Sequence, residues 1–306
     1  MKEFQYGGQA VLEGVMMRGA EHFAVAVRNP QGAITIHSEP LEGYIYRGFV
    51  ARTPFVRGLT MLWDTLVLGV RTLMYSADVA VSDQPDVSFS GPVAWGTMAV
   101  SLTIGVGLFF LLPVLLVRLV DRYLASSLLS SVVEGVVRLA LFVGYLAAVG
   151  TMPDIKRVFA YHGAEHKAVN ALEAGAPLEP EQVERFSTAH PRCGTGFMLL
   201  VLVIFIILSS FLGRPALWLR VLSRLLLIPV VAGVAYEVMK LSARHRTRPI
   251  VGLLLAPGLW LQRLTTREPD RSMLEVSIAA LRAVVEAEAT APAPATDVSP
   301  GLEQAG

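Results

Sequence analysis

The chain is short of cysteine and of charge. One cysteine, Cys193, stands in 306 residues, so no internal disulfide forms and no oxidising compartment is implied. Only 17% of the residues are charged against 53% hydrophobic, and the mean hydropathy is +0.53. That balance excludes a soluble domain of this length and points to a multi-spanning membrane protein. A formal net charge of +1 gives no electrostatic footprint for a nucleic-acid partner. The N-terminus, Met1 to Gly8, lacks the apolar core of a signal peptide. Residues 1–92 are therefore expected to stay on the cytoplasmic side. The early glycines are not followed by Gly-Lys-Ser/Thr, so they do not match a phosphate-binding loop.

Long apolar runs are what the chain has instead. Four stretches are long enough to cross a bilayer, about 93–117, 134–152, 195–213 and 217–239, since crossing takes about 20 residues at a rise of about 1.5 Å each. Pro113 and Pro229 are expected to kink the first and the fourth. Glu134 and Arg138 near the start of the second, and Arg220 and Arg224 opening the fourth, are read as structural pairs or snorkelling ends. With so few ionisable residues away from the span ends, a transporter is disfavoured. Lysine and arginine number 7 up to residue 92, 5 in the 153–194 loop and 8 after residue 239, against two in each short connection. Positive residues stay inside. Both termini and the 153–194 loop are thus placed on the cytoplasmic face of a bacterial cytoplasmic membrane.

Around these spans the organisation reads as follows. Residues 1–92 form a small β-containing unit followed by an interfacial helix. Residues 7–19 carry four glycines and suggest a strand with tight bends. His22 to Arg28 and Ala33 to His37 alternate about an Asn29-Pro30-Gln31-Gly32 turn, a hairpin signal. Over 54–77, Phe55, Leu59, Leu62, Trp63, Leu66, Val70, Leu73 and Met74 recur at helical spacing. Arg57, Asp64 and Arg71 lie opposite, which predicts an amphipathic helix in the interface with its charged face in water or headgroups. Residues 93–152 hold the first two spans, 153–194 a cytoplasmic loop, and 195–239 the last two. Residues 240–286 form a basic and amphipathic cytoplasmic segment. In it, Ser242 to Pro249 is a basic cluster suited to anionic lipid headgroups, and Val251 to Leu261 an interfacial or re-entrant piece. Residues 271–286 form a helix with Leu274, Ile278 and Leu281 on one face. Residues 287–306 are an Ala/Pro/Thr/Glu tail expected to be disordered.

The chemistry gathers in the 153–194 loop. Three of the six histidines and the single cysteine, His162, His166, His190 and Cys193, fall within 32 consecutive residues. On a helix over 151–175, His162 and His166 stand one turn apart on one face, with Glu165 beside them. This His-x-x-Glu-His order is the inverted form of the zinc-peptidase helix. His190 and Cys193 supply chemically suitable further ligands for zinc or another divalent metal. A hydrogen-bonded polar helix face at the membrane surface would also explain the histidines. Gly163 costs about 1 kcal/mol relative to alanine inside a helix, which predicts another backbone passing close by.

Gly7 to Gly19 (GGQAVLEGVMMRG), Tyr161 to Lys167 (YHGAEHK), His190 to Gly196 (HPRCGTG) and Leu274 to Ile278 (LEVSI) together resemble the YqhQ-like bacterial membrane proteins, a family of unknown function. The likeness covers about residues 6 to 285. It implies a polytopic membrane protein, described at most as metal-dependent, with His162, Glu165, His166, His190 and Cys193 as signature residues.

Two functions are expected to compete. In one, the protein is a membrane-embedded metal-dependent hydrolase. His162, His166 and one of His190 or Cys193 hold the metal, Glu165 is the general base, and Glu13, Arg18, Arg192 and Glu237 are supporting residues. In the other it is a non-catalytic membrane factor, and all four ligands close a structural metal site or a polar packing network.

Overall fold

The computed structural model describes residues 6–41, 53–83, 91–213, 215–244 and 249–290. Its strands are β1 (Gly7–Val11), β2 (Gly14–Arg18), β3 (His22–Arg28) and β4 (Ile34–Pro40). Its helices are α1 (Val56–Ala80), α2 (Pro92–Tyr123), α3 (Ser127–Val149), α4 (Pro153–Glu173), the single turn α5 (Pro180–Val183), α6 (Gly194–Ser210), α7 (Leu217–Arg244), α8 (Pro249–Thr265) and α9 (Arg271–Thr290).

The strands pair in chain order as an antiparallel meander, with Gly8 opposite Met17, Val15 opposite Ala26 and Val25 opposite His37. The β3–β4 hairpin has the expected turn chemistry, Asn29 Oδ1 accepting the Ala33 N–H at 2.8 Å. The bend between β1 and β2 falls instead on Leu12 and Glu13. Glu13 takes φ 49°, a left-handed conformation uncommon for a side-chain-bearing residue. β2 and β3 are buried on both faces because helices cover both. Val15, Met17, Ala24 and Ala26 pack on α4 and α9, while Met16, Phe23, Val25 and Val27 pack with Leu68 of α1.

The helix α9 closes this unit. Leu274, Ile278 and Leu281 are buried as the periodicity predicted, each burial contributing roughly 1.5–3 kcal/mol. The helix continues to Thr290, so the expected disordered tail does not begin at 287. Glu288 Oε1 there accepts the N–H groups of Glu21 at 2.7 Å and His22 at 2.8 Å. Residues 291–306 and most of the basic cluster (245–248) lie outside the described residues.

The helix α1 turns the expected way round inside out. Its charged residues pair with other elements: Arg57 with Glu237, Asp64 with Arg18 at 2.8 Å, and the largely exposed Arg71 with Glu39 at 2.8 Å. Apart from Leu68, its buried positions are small or polar: Gly58, Gly69, Thr72, Ser76 and Ala77. Trp63 is 70% exposed, and Leu66, Val67 and Leu73 are exposed with it. Part of the apolar stripe thus faces outward, as it does where the surrounding medium is lipid, while Phe55, Leu59, Leu62 and Val70 are half-buried.

Three helices, Pro92–Tyr123, Ser127–Val149 and Leu217–Ser242, are long and apolar enough to cross a membrane. The expected span over 195–213 is the apolar but shorter α6, 17 residues long. The second span begins seven residues before its predicted start, because Ser126 Oγ caps α3 by accepting the Leu129 N–H at 3.1 Å. Glu134 and Arg138 consequently lie inside α3, and they are buried. Of the expected pairing or snorkelling, the structure has the pairing, deeper in the bundle than the predicted span start implied: Glu134 meets Arg138, Arg220 and Arg224 between the helices. In α2, a π-helical turn (Gly107–Leu111) precedes Pro113. Proline supplies no N–H to the carbonyl four residues earlier. That carbonyl, on Phe109, accepts Arg138 Nε at 2.8 Å instead.

Candidate functional site

The helix α4 leaves the end of α3 through Pro153, with Asp154 in its first turn, a favourable start for a helix. One turn of spacing stacks His162 and His166 on a single face, ring centroids 4.4 Å apart. Farther along, Lys167 and Asn170 hold the returning chain. Lys167 Nζ donates to the carbonyls of Glu184 at 2.7 Å and Phe186 at 2.8 Å. Asn170 Nδ2 donates to Ser187 at 2.9 Å and Ala189 at 3.2 Å. This brings the Thr188 carbonyl against His166 and delivers Cys193 to the histidines as the N-cap residue of α6.

Each histidine is oriented by a main-chain carbonyl. His162 Nδ1 lies 2.8 Å from the Thr265 oxygen, and His166 Nδ1 lies 2.5 Å from the Thr188 oxygen. A carbonyl only accepts, so both Nδ1 atoms carry the proton and the lone pair of each neutral ring sits on Nε2. Cys193 Sγ is 3.2 Å from His162 Nε2. One donor atom from each of His162, His166 and Cys193 lies within 4.8 Å of the others. Ligands on one tetrahedral zinc stand about 3.5 Å apart, from bonds of about 2.0–2.3 Å. Two imidazole nitrogens and a sulfur are the borderline-soft set that suits zinc, and the carbonyl-oriented tautomers match the outer contacts of metal-bound histidines.

His190 stands beside this group rather than in it. Its ring centroid is 5.7 Å from that of His166, and its Nε2 is 3.8 Å from Glu173 Oε2. Its main chain is clasped by Gln262, which accepts the His190 N–H and donates to the His190 carbonyl, both at 2.9 Å.

Glu165 is buried and points toward β1, with Oε2 3.4 Å from His166 Nε2. Burial pushes its carboxyl up to about 7 against the opposing pull of His162, the Gly8 N–H and Arg192. A Cβ on Gly8 would stand 2.9 Å from Glu165 Cγ and 2.4 Å from the Met16 carbonyl oxygen, so only glycine lets the strand come this close. Gly163 has the neighbour its cost predicted, since a Cβ there would lie 2.1 Å from the Arg267 carbonyl oxygen.

The four supporting candidates separate. Glu13 reaches α4 but grips its first half, accepting Arg157 Nε at 2.7 Å and the Tyr161 hydroxyl at 3.3 Å; burial and Glu13 together push that hydroxyl up. Arg192 flanks Cys193 and pairs with Glu173. Arg18 is held by Asp64, and the two arginines line a cleft of about 370 Å³ with Gly8, Leu62, Phe197 and Tyr236. Glu237 is not at the site: it accepts the Phe55 N–H at 3.1 Å and Arg57 Nε at 2.8 Å, fastening α1 to α7.

Gln262 and Thr265 went unpredicted. Thr265 acts through its carbonyl, which no side-chain pattern reveals. Gln262 does leave a signal, as a polar residue directly after the apolar run to Leu261.

No solved structure matches the chain. It is 35% identical over 296 residues to the uncharacterised protein YqhQ of Bacillus subtilis (strain 168), covering 93% of each chain. The family profile described as "Protein of unknown function (DUF1385)" matches residues 53–287. By both measures the chain belongs to the DUF1385 family, whose function is unknown.

Proposed function

We propose that the protein is a membrane-bound metal-dependent hydrolase of the bacterial cytoplasmic membrane. His162, His166 and Cys193 would hold a divalent cation, zinc by the chemistry of the donor set. The observation that carries this reading is the pair of Nδ1–carbonyl contacts, at 2.8 and 2.5 Å, which leave both Nε2 lone pairs free beside the single sulfur. A bound cation supplies Lewis-acid polarisation of a substrate carbonyl or phosphoryl oxygen. Glu165, 3.4 Å from His166, would take a proton from the attacking water on Oε2 and return it to the leaving group as the substrate bond breaks. Gly8 N–H and the enclosing β1 strand hold that carboxyl in place and keep bulk water from it. Arg18 and Arg192, at the neighbouring cleft, suit an anionic headgroup in the membrane surface.

Counted with α6 as a fourth crossing, the spans would put both termini on one side, the cytoplasmic one by the positive residues. α6 starts at Cys193 beside the histidines, and α7 begins at the opposite end, where Arg220 meets Glu134 near the start of α3. On this reading α6 would cover the height of the bundle with its 17 residues, a length of about 26 Å. Reporters fused at residues 90, 180 and 260 should read inside, and one at 125 outside; an outside signal at 180 refutes this topology.

A closed structural site is the second reading, favoured by the 5.7 Å between the His166 and His190 rings. Cobalt substitution separates the two. Three protein ligands leave the cobalt spectrum sensitive to added small anions, and Glu165→Gln then keeps the metal while losing turnover. A spectrum indifferent to anions and altered by His190→Ala establishes the closed site. No thiolate-to-cobalt band at all would eliminate both.

A further inference from the structure

A second polar cluster lies at the end of the bundle remote from the sheet, where α2 turns into α3 and α7 begins. Glu134 sits at its centre. Its Oε1 accepts Arg138 Nη2 at 3.0 Å and Arg224 Nε at 3.1 Å, and its Oε2 accepts Arg220 Nε at 3.0 Å and Nη2 at 2.8 Å. Four N–H donors fill a carboxylate's acceptor sites. Arg220 spends its last nitrogen on Asp121 Oδ2 at 2.7 Å.

Three donor nitrogens remain. Arg138 Nη1 and both Nη atoms of Arg224 are buried without a hydrogen-bond partner, although the two residues are only 1% exposed. These atoms lie out of contact with bulk solvent, and no protein acceptor is within hydrogen-bond reach. The Phe205 ring, 4.5 Å from Arg138 Cζ, attracts the cation through its face but accepts no in-plane N–H bond. Charge is out of balance in the same direction. Arg138, Arg220 and Arg224 meet Glu134 and Asp121, three positive against two negative, leaving +1 among the described residues. An uncompensated charge inside an apolar bundle is expensive, and intramembrane ionisable clusters mark functional sites by default.

We propose that Arg138 and Arg224 form an oxyanion site, taking a phosphate or carboxylate group that supplies the missing acceptors and the missing negative charge. Both guanidinium groups are anchored on Glu134 Oε1, one through Nη2 and one through Nε, so they stand side by side with their remaining donors free. Unpaired guanidinium N–H groups, planar and multidentate, are the donors that suit an oxyanion. Depth adds to the cost of leaving them bare. Glu134 lies seven residues into α3 and Arg224 seven into α7, about 10 Å below the helix ends. The helix α3, about 34 Å long, barely exceeds a hydrocarbon core of about 30 Å, so the cluster lies several Å below headgroup level, where an uncompensated charge is costly. Asp121, the most exposed member of the cluster, marks the side from which the anion enters.

The test uses the full-length protein. Its thermal unfolding is followed in neutral detergent in sodium chloride and in inorganic phosphate at matched ionic strength. It is then repeated in phosphatidylcholine nanodiscs with and without phosphatidylglycerol. Specific binding raises Tm by several degrees in wild type. A rise with inorganic phosphate identifies a free oxyanion, and a rise only with phosphatidylglycerol identifies a lipid phosphate. Arg224→Gln abolishes the response while Arg138 and Arg220 still hold Glu134. Arg224→Lys, which keeps the charge but loses the planar fork, weakens it. Wild type indifferent to both phosphate and phosphatidylglycerol overturns the proposal whether or not the variants fold. So does an undiminished response in Arg224→Gln.

Discussion

The two polar clusters of this molecule are built from opposite halves of hydrogen-bond chemistry. His162, His166 and Cys193, beside the sheet, present lone pairs to one another: two ring nitrogens whose protons are committed to carbonyls, and a sulfur. Glu134, Arg138, Arg220 and Arg224, at the far end, present N–H groups in excess of every acceptor near them. A cation completes the first and an anion the second. Both are surrounded by apolar packing, so burial alone distinguishes neither; the sign of what is left unsatisfied does.

The contrast breaks most sharply at Glu134. Replacing it with glutamine leaves three buried arginines facing one another with Asp121 as their only acid, and should cost about 3–5 kcal/mol in thermal unfolding of the purified protein. A loss below about 1 kcal/mol would mean that the arginines reach water or lipid phosphate without it. At the other cluster the same kind of change is milder. Gly163→Ala pushes a methyl into the Arg267 carbonyl, 2.1 Å from the added carbon, and overpacking of that kind costs about 1–3 kcal/mol. It should also separate Thr265 from His162 and lower metal retention in parallel; a variant that binds metal like wild type would show that the α4–α8 contact does not set the ligand geometry. Smallest of all is Cys193→Ser in metal-free protein. Serine is itself a good helix N-cap, and the sulfur's protein contacts are weak ones to Thr195 and His162. Stability should change by less than about 1 kcal/mol, read by the same melt, while metal retention falls. A large loss without metal would assign the thiol a packing role instead.

Much of the site was legible in the sequence because its donors are side chains at fixed helical spacing. His162 and His166 declare themselves four residues apart, and Gly163 announces a neighbour by its cost. The carbonyls that orient the rings, on Thr188 and Thr265, leave no such trace. The helices show the same division. α9 hides its apolar face against the sheet, as a helix in water must, and its pattern read correctly. α1 has as clear a pattern, yet Arg57, Asp64 and Arg71 each find a partner on another element, and Trp63 and Leu66 face out. Periodicity tells which residues share a face, and the medium decides which face is inward. For the far cluster, charge near a span end reads as pairing or snorkelling there until Ser126, by capping α3 early, is seen to draw Glu134 inside.

The most direct measurement is the metal content of protein purified from cells without added chelator, for wild type, His166→Ala and His190→Ala side by side. One equivalent of zinc or another divalent ion in wild type, lost in His166→Ala and kept in His190→Ala, is the expected result. Wild type without stoichiometric metal, together with a His166→Ala variant as stable as wild type, would contradict the metal centre altogether.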